Sequence, residues 1–158
     1  MKILFLTPQL PYPPQKGTAL RNWGLIDGLA SRHELSLLSF RAPGQGEEIL
    51  PPLLDACERV ATVSQPERTV RDRLLDMLTT GRPDMALRLK SEGYALRLAE
   101  WLMEETFDVV QIEGIELAPY LDVVEEAAQV PMVVFDDHNC EYVLQRRVFL
   151  TNLTAPAR

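Results

Sequence analysis

Four apolar residues in a row, Ile3-Leu4-Phe5-Leu6, are closed at once by Thr7-Pro8, and Pro11, Pro13 and Pro14 follow. A run this short and this uniformly apolar suits a strand covered on both faces, as in a parallel sheet. It is too short for a signal peptide or a membrane span. The prolines forbid regular structure directly after it. A helix is then expected from Thr18, as its cap, to about Ser31, with Leu25, Ile26, Leu29 and Ala30 on one apolar side.

The same alternation continues along the chain. Strands are expected at Glu34 to Phe40, Arg59 to Ser64, Asp108 to Glu113 and Val130 to Asp136. Between them lie helical stretches: Glu47 to Ala56, Glu67 to Thr80 with Val70, Leu74, Met77 and Leu78 at helical spacing, and Glu92 to Glu105 with Ala95, Ala99, Leu102 and Met103 on one side. Ile115 to Ala128 reads as a helix interrupted near Pro119, and Cys140 to Phe149 as a last helix. Pro83 to Lys90 fits no pattern cleanly. Strands alternating with helices predict an α/β fold, a Rossmann-like and mainly parallel sheet with helices on both faces and the first strand central. The 158 residues suit one domain.

Charge narrows the partners. The net charge is −7, whereas a duplex-binding protein needs a surplus of Lys and Arg, so no nucleic-acid partner is expected. Arg68, Arg71, Arg73, Arg82, Arg88, Lys90 and Arg97 crowd one stretch, interleaved with Asp72, Asp76, Asp84 and Glu92. A solvated helical surface is the first reading and a basic membrane-facing patch the second. Cys57 and Cys140 have no metal or redox spacing, which points to reduced thiols and a cytoplasmic protein.

Ligands of open parallel sheets gather at the carboxyl ends of the strands. Three segments lie there. In the first, Lys16-Gly17-Thr18 opens a helix, whose unpaired N–H groups can hold a phosphate; a rigid connector in which Gly17 only permits a turn is the alternative. Neither the dinucleotide fingerprint nor the P-loop pattern is present. Gly24 and Gly28 are read as allowing close helix packing. In the second, Glu113 ends a strand, either reaching solvent or bonding a substrate hydroxyl. In the third, Asp136-Asp137-His138-Asn139 puts two carboxylates, an imidazole and an amide together. His138 can meet a substrate, the group can bind a metal, or Asp136 and Asn139 can cap the next helix. A metal needs further ligands, and His33 is remote, so no metal and no cofactor are expected.

The opening strand and Pro-rich loop with "KGTALRNWGLIDGLA", then "RPDMALRLKS", "DVVQIEG" followed by "APYL", and "DDHNCEYVLQRR", resemble landmarks of family 4 retaining glycosyltransferases with the GT-B fold. The order and spacing run through most of the chain. The resemblance implies an N-terminal, acceptor-side domain at residues 1–158, with the nucleotide-sugar domain absent. It implies sugar transfer from a nucleoside diphosphate to the hydroxyl of a sugar or lipid-linked acceptor, in polysaccharide synthesis, at most peripherally at the inner membrane face. Gly17 and Thr18 would meet the donor phosphate, His138 the transferred sugar, and Lys16, Glu113 and Asp136 the acceptor or sugar. The chain alone is expected to be inactive. Glu105 and Glu113 have the spacing of that family's E-x7-E motif, but run from a helix end through a strand. Two other functions stay open: a non-catalytic ligand- or partner-binding module, and a metal-dependent hydrolase built on the Asp-Asp-His-Asn cluster.

Overall fold

A computed structural model describes residues 1–15, 17–46, 48–81, 84–138 and 141–154. Five parallel strands form one sheet: β1 (Lys2–Thr7), β2 (Glu34–Arg41), β3 (Arg59–Ser64), β4 (Val109–Glu113) and β5 (Met132–Asp136), in the order β3-β2-β1-β4-β5. β1 is central, with Ile3 opposite Leu35 of β2 on one side and Val109 of β4 on the other. The strand order reverses between β1 and β4. At such a switch point the connections leave toward opposite faces and a crevice opens at the carboxyl ends.

Alternation along β1 separates two cores. Leu4 and Leu6 join Leu38, Phe40, Leu98, Trp101, Val110 and Ile112 on one face. Ile3 and Phe5 join Leu35, Leu37, Ile26 and Leu53 on the other. Successive side chains of a strand point to opposite faces, so a strand buried on both must be apolar throughout, as Ile3 to Leu6 is.

The helices are α1 (Gly17–Ala30), α2 (Pro51–Ala56), α3 (Val70–Thr80), α4 (Asp84–Leu87), α5 (Glu92–Glu104), α6 (Leu121–Glu125) and α7 (Glu141–Thr154). α1 begins at Gly17, so Thr18 sits in the first turn and is not the cap. Its buried residues are Ala19, Asn22 and Ile26, and Leu25 turns outward. A Cβ on Gly24 or Gly28 would meet nothing within 4 Å, so neither glycine serves close packing. The stretch from 115 to 128 is a 3₁₀ helix, Ile115–Tyr120, followed by the short α6; Pro119 lacks the N–H that an α-helix would use. α2 starts only at Pro51, where a missing N–H costs nothing.

α5 is capped by Ser91, whose Oγ accepts from the Tyr94 N–H at 3.4 Å. It buries Tyr94, Leu98 and Trp101, while Met103, expected on the inner side, is 80% exposed. The expected stripe is therefore rotated. The aromatic residues win the inner face because they bury more area. Tyr94 stacks on Phe40 with centroids 4.3 Å apart and donates to the Leu38 carbonyl at 2.8 Å. α3 departs further from expectation: Val70, Leu74 and Leu78 are exposed.

Leu98, fully buried between α5 and the sheet, is the most direct test of this packing. Leu98→Ala should lower unfolding stability by about 2–5 kcal/mol, read as a lower denaturant midpoint at an unchanged slope. A loss below about 1 kcal/mol would mean that α5 does not close the core.

Candidate functional site

The crevice at the β1–β4 switch point gathers most of the residues that the sequence singled out. Glu113, at the end of β4, does not reach solvent; it is completely buried. Gln111, two residues earlier on the same strand face, donates from Nε2 to Glu113 Oε1 at 2.7 Å. The Asn22 amide satisfies its surroundings when its nitrogen donates both to the Thr18 carbonyl at 3.2 Å and to Glu113 Oε2 at 3.0 Å. A buried carboxylate needs such donors.

His138 closes the group from β5. Its Nε2 lies 3.4 Å from Glu113 Oε2, and its Nδ1 lies 3.9 Å from Asp136 Oδ1. Neither ring nitrogen has a hydrogen-bond partner among the described residues, although both are buried. The His138 backbone is left-handed, with φ 50°. That conformation costs roughly 1–2 kcal/mol in an L residue. The Asp136 carboxylate offsets part of the cost by accepting from the His138 N–H at 2.9 Å. Asp136 also pairs with Arg21 of α1. Gly114 sits beneath the imidazole: at φ 97°, an added Cβ would lie 2.8 Å from Glu116 Oε2 and 3.5 Å from His138 Cδ2.

Two carboxylates here are driven in opposite directions. Burial pushes the Glu113 pKa up from 4.5, against the Gln111 hydrogen bond and the nearby imidazole. The His138 N–H holds Asp136 below 3.8, with Arg21 assisting.

Above the group opens a cavity of about 140 Å³ lined by Pro8, Gln9, Thr18, Gln65, Arg88 and His138, among others. Arg88 pairs there with Glu116 at 3.0 Å. Most of the lining side chains carry donors or acceptors. The space is small and open beside the roughly 300–1,000 Å³ of a typical small-molecule site. Gly17 lies in α1's first turn, and a Cβ there would meet nothing within 4 Å. Lys16 and Asn139 lie outside the described residues.

Glu113, Asp136 and His138 offer ligand atoms within 4.8 Å of one another, close enough to hold a metal ion. Arg21 already brings a positive charge to Asp136, and Gln111 and Asn22 already donate to Glu113. His33 lies just before β2, at the opposite end of the sheet. Glu105, just after α5, lies at that same far end, where it pairs with Lys2; the E-x7-E spacing therefore joins two ends of the molecule.

Arg21, Asn22 and Gln111 were not singled out from the sequence; Gly114 was, together with Glu113, at the end of its strand. Asn22 left a signal there, a polar residue four after Thr18 on the helix side that carries Ile26. Gln111 left another, two before Glu113 on one strand.

Comparison with known proteins corrects the family reading. No protein-family model matches the chain, and no curated protein matches it. Among solved structures, the chain is similar to the C-terminal domain of a hydrogenase from Pyrococcus furiosus. The two share 17% identity over 85% of this chain and 90% of that one, with a TM-score of 0.51. This likeness concerns the fold alone. It points away from family 4 glycosyltransferases and from the GT-B fold. Most of the motifs that carried the resemblance are short pieces at strand ends, which the demands of any parallel sheet can produce.

No helix among the described residues is long and apolar enough to cross a membrane.

The opposed carboxylates predict a pH signature. The folded chain holds the Glu113 proton more tightly than the unfolded chain does. The stability tied to this group is therefore full below pH 4.5 and is lost as pH rises through the raised value. Asp136 works in reverse, losing its contribution as pH falls below 3.8. Glu113→Gln should hence gain stability relative to the parent as pH rises from 4.5 toward neutrality. Denaturant midpoints that run parallel for the two proteins over that range would show that Glu113 is not held in a desolvated state.

Proposed function

We propose that this crevice is one wall of an active site that transfers a sugar from a nucleoside-diphosphate sugar to an acceptor hydroxyl. The observation that carries the reading is the buried Glu113–His138 pair. Two ring nitrogens without hydrogen-bond partners among the described residues stand against a desolvated carboxylate, at the mouth of a polar cavity and beside the first turn of α1. A sugar presents several hydroxyls, each a donor and an acceptor, and such a wall of alternating donors and acceptors suits it. A diphosphate suits the N–H groups of α1, because the helix end carries partial positive charge.

In the transfer, the bond between the anomeric carbon and the phosphate oxygen breaks, and its electrons stay on the diphosphate. The acceptor oxygen bonds to the anomeric carbon, and its proton passes to the departing diphosphate oxygen. His138 would hold a hydroxyl of the moving sugar, Thr18 and the Gly17 N–H would meet the developing phosphate charge, and Asp136 would keep the His138 turn in place. The small open cavity supports a site completed by a second body, so the chain alone should bind nucleotide sugars weakly and transfer none.

The same open cavity favours a second reading, a binding module that holds a polar ligand without turning it over. The two differ in kinetics. If the first is right, His138→Ala in the protein with the complete cleft should lower kcat/KM by at least ~10-fold, at an unchanged melting temperature. Absence of any transfer from nucleoside-diphosphate sugars by that protein would reject the reaction.

Gly17 gives an independent check. A Cβ there would meet nothing within 4 Å, so Gly17→Val should fold normally. If phosphate approaches that backbone, turnover should fall at least ~10-fold; full activity would make Gly17 an ordinary first-turn residue.

A further inference from the structure

Helix α3 leaves an apolar side uncovered. It is well formed: Thr69 and Asp72 cap it reciprocally, and Gly81 ends it at φ 62°. An amphipathic helix normally turns its apolar stripe to the core and its charges to water. α3 turns neither side to the core, for Asp72 and Arg73 are exposed along with the apolar residues. Ion pairs join it to the segment before it and to α4, with Arg68 reaching Asp76 at 2.7 Å and Asp84 at 3.0 Å, and Arg73 reaching Asp84 at 3.0 Å. The Arg68 side chain is only 12% exposed. The apolar side is therefore uncovered: Val70 is 72% exposed, Leu74 51%, Leu75 59% and Leu78 78%.

At 100° per residue, Val70, Leu74, Leu78 and Leu75 occupy one continuous arc, and Arg71 falls inside it. Arg71 is exposed, and no ion pair to it is found among the described residues. From Glu67 to Lys90 there are six basic residues and four acidic ones, a local excess of two positive charges in a chain whose net charge is −7. We infer that α3 is a docking element for an anionic phospholipid surface. The leucines enter the headgroup–acyl boundary and Arg71 meets the phosphates.

Charge decides for this occupant over a second copy of the chain. Apposing two α3 faces would bring two Arg71 guanidinium groups into one apolar interface with no acid on the arc to pair them. A bilayer supplies both the apolar depth and the negative charge. The inference is independent of the proposed reaction. It agrees with the topology, since α3 and α4 follow the carboxyl end of β3, and Arg88, directly after α4, lines the cavity.

The test is sedimentation of the whole 158-residue chain with vesicles of phosphatidylcholine alone or of equal parts phosphatidylcholine and phosphatidylglycerol. Binding to the mixed vesicles is expected, and it should weaken as salt rises. Leu74→Gln with Leu78→Gln should reduce that binding at least ~10-fold. Arg71→Glu should reduce it while sparing the leucines. All three side chains are exposed, so melting temperatures should stay near the parent's. No binding to mixed vesicles overturns the inference, as does equal binding to neutral ones or binding undiminished in the variants. A dimer seen by light scattering that Leu78→Gln abolishes would assign the face to a second copy, and also overturns it.

Discussion

The two-sided burial of β1 is the constraint on which the rest of the molecule depends. β1 lies between β2 and β4, and its side chains enter both cores. Each covering helix therefore packs on a face that β1 helps to define. The reversal of strand order next to β1 also decides where a crevice can form, because the loop after β1 and the end of β4 diverge there. Stability and site are consequences of one strand's position.

The site itself exists at a cost. A carboxylate carried into the sheet's carboxyl edge loses its hydration, and Gln111 and Asn22 each offset part of that loss. His138 adds backbone strain of its own, held by Asp136. Desolvated charge and strained backbone together, at a cavity mouth, are the kind of arrangement that packing alone does not require. The absence of any matching family leaves this local chemistry, and not ancestry, as the support for a functional reading.

Much of the architecture was legible in the chain. The apolar runs ending at Thr7, Glu113 and Asp136 marked three strand ends, and the βα alternation marked a parallel sheet. The helix faces were less legible. The spacing in α5 points Met103 inward, but Tyr94 and Trp101 claim the core; the spacing in α3 marks an apolar stripe, but Val70, Leu74 and Leu78 stay exposed. Helical spacing identifies a stripe without saying what lies opposite it, and that depends on elements distant in sequence.

The family resemblance failed for a related reason. Local motifs at strand ends report the demands of a parallel sheet, which many unrelated proteins share. What the sequence determined by itself was the alternation of strands and helices, and the presence of Gly17, Thr18, Glu113, Asp136 and His138 at strand and helix ends, because period and turn chemistry are local properties. Only the tertiary structure decided that Glu113 is buried, that Asn22 from α1 reaches it, and that His138 faces it from the neighbouring strand. Asn22 and His138 are 116 positions apart in the chain, and these residues meet only because parallel strand pairing carries β1, β4 and β5 to one edge.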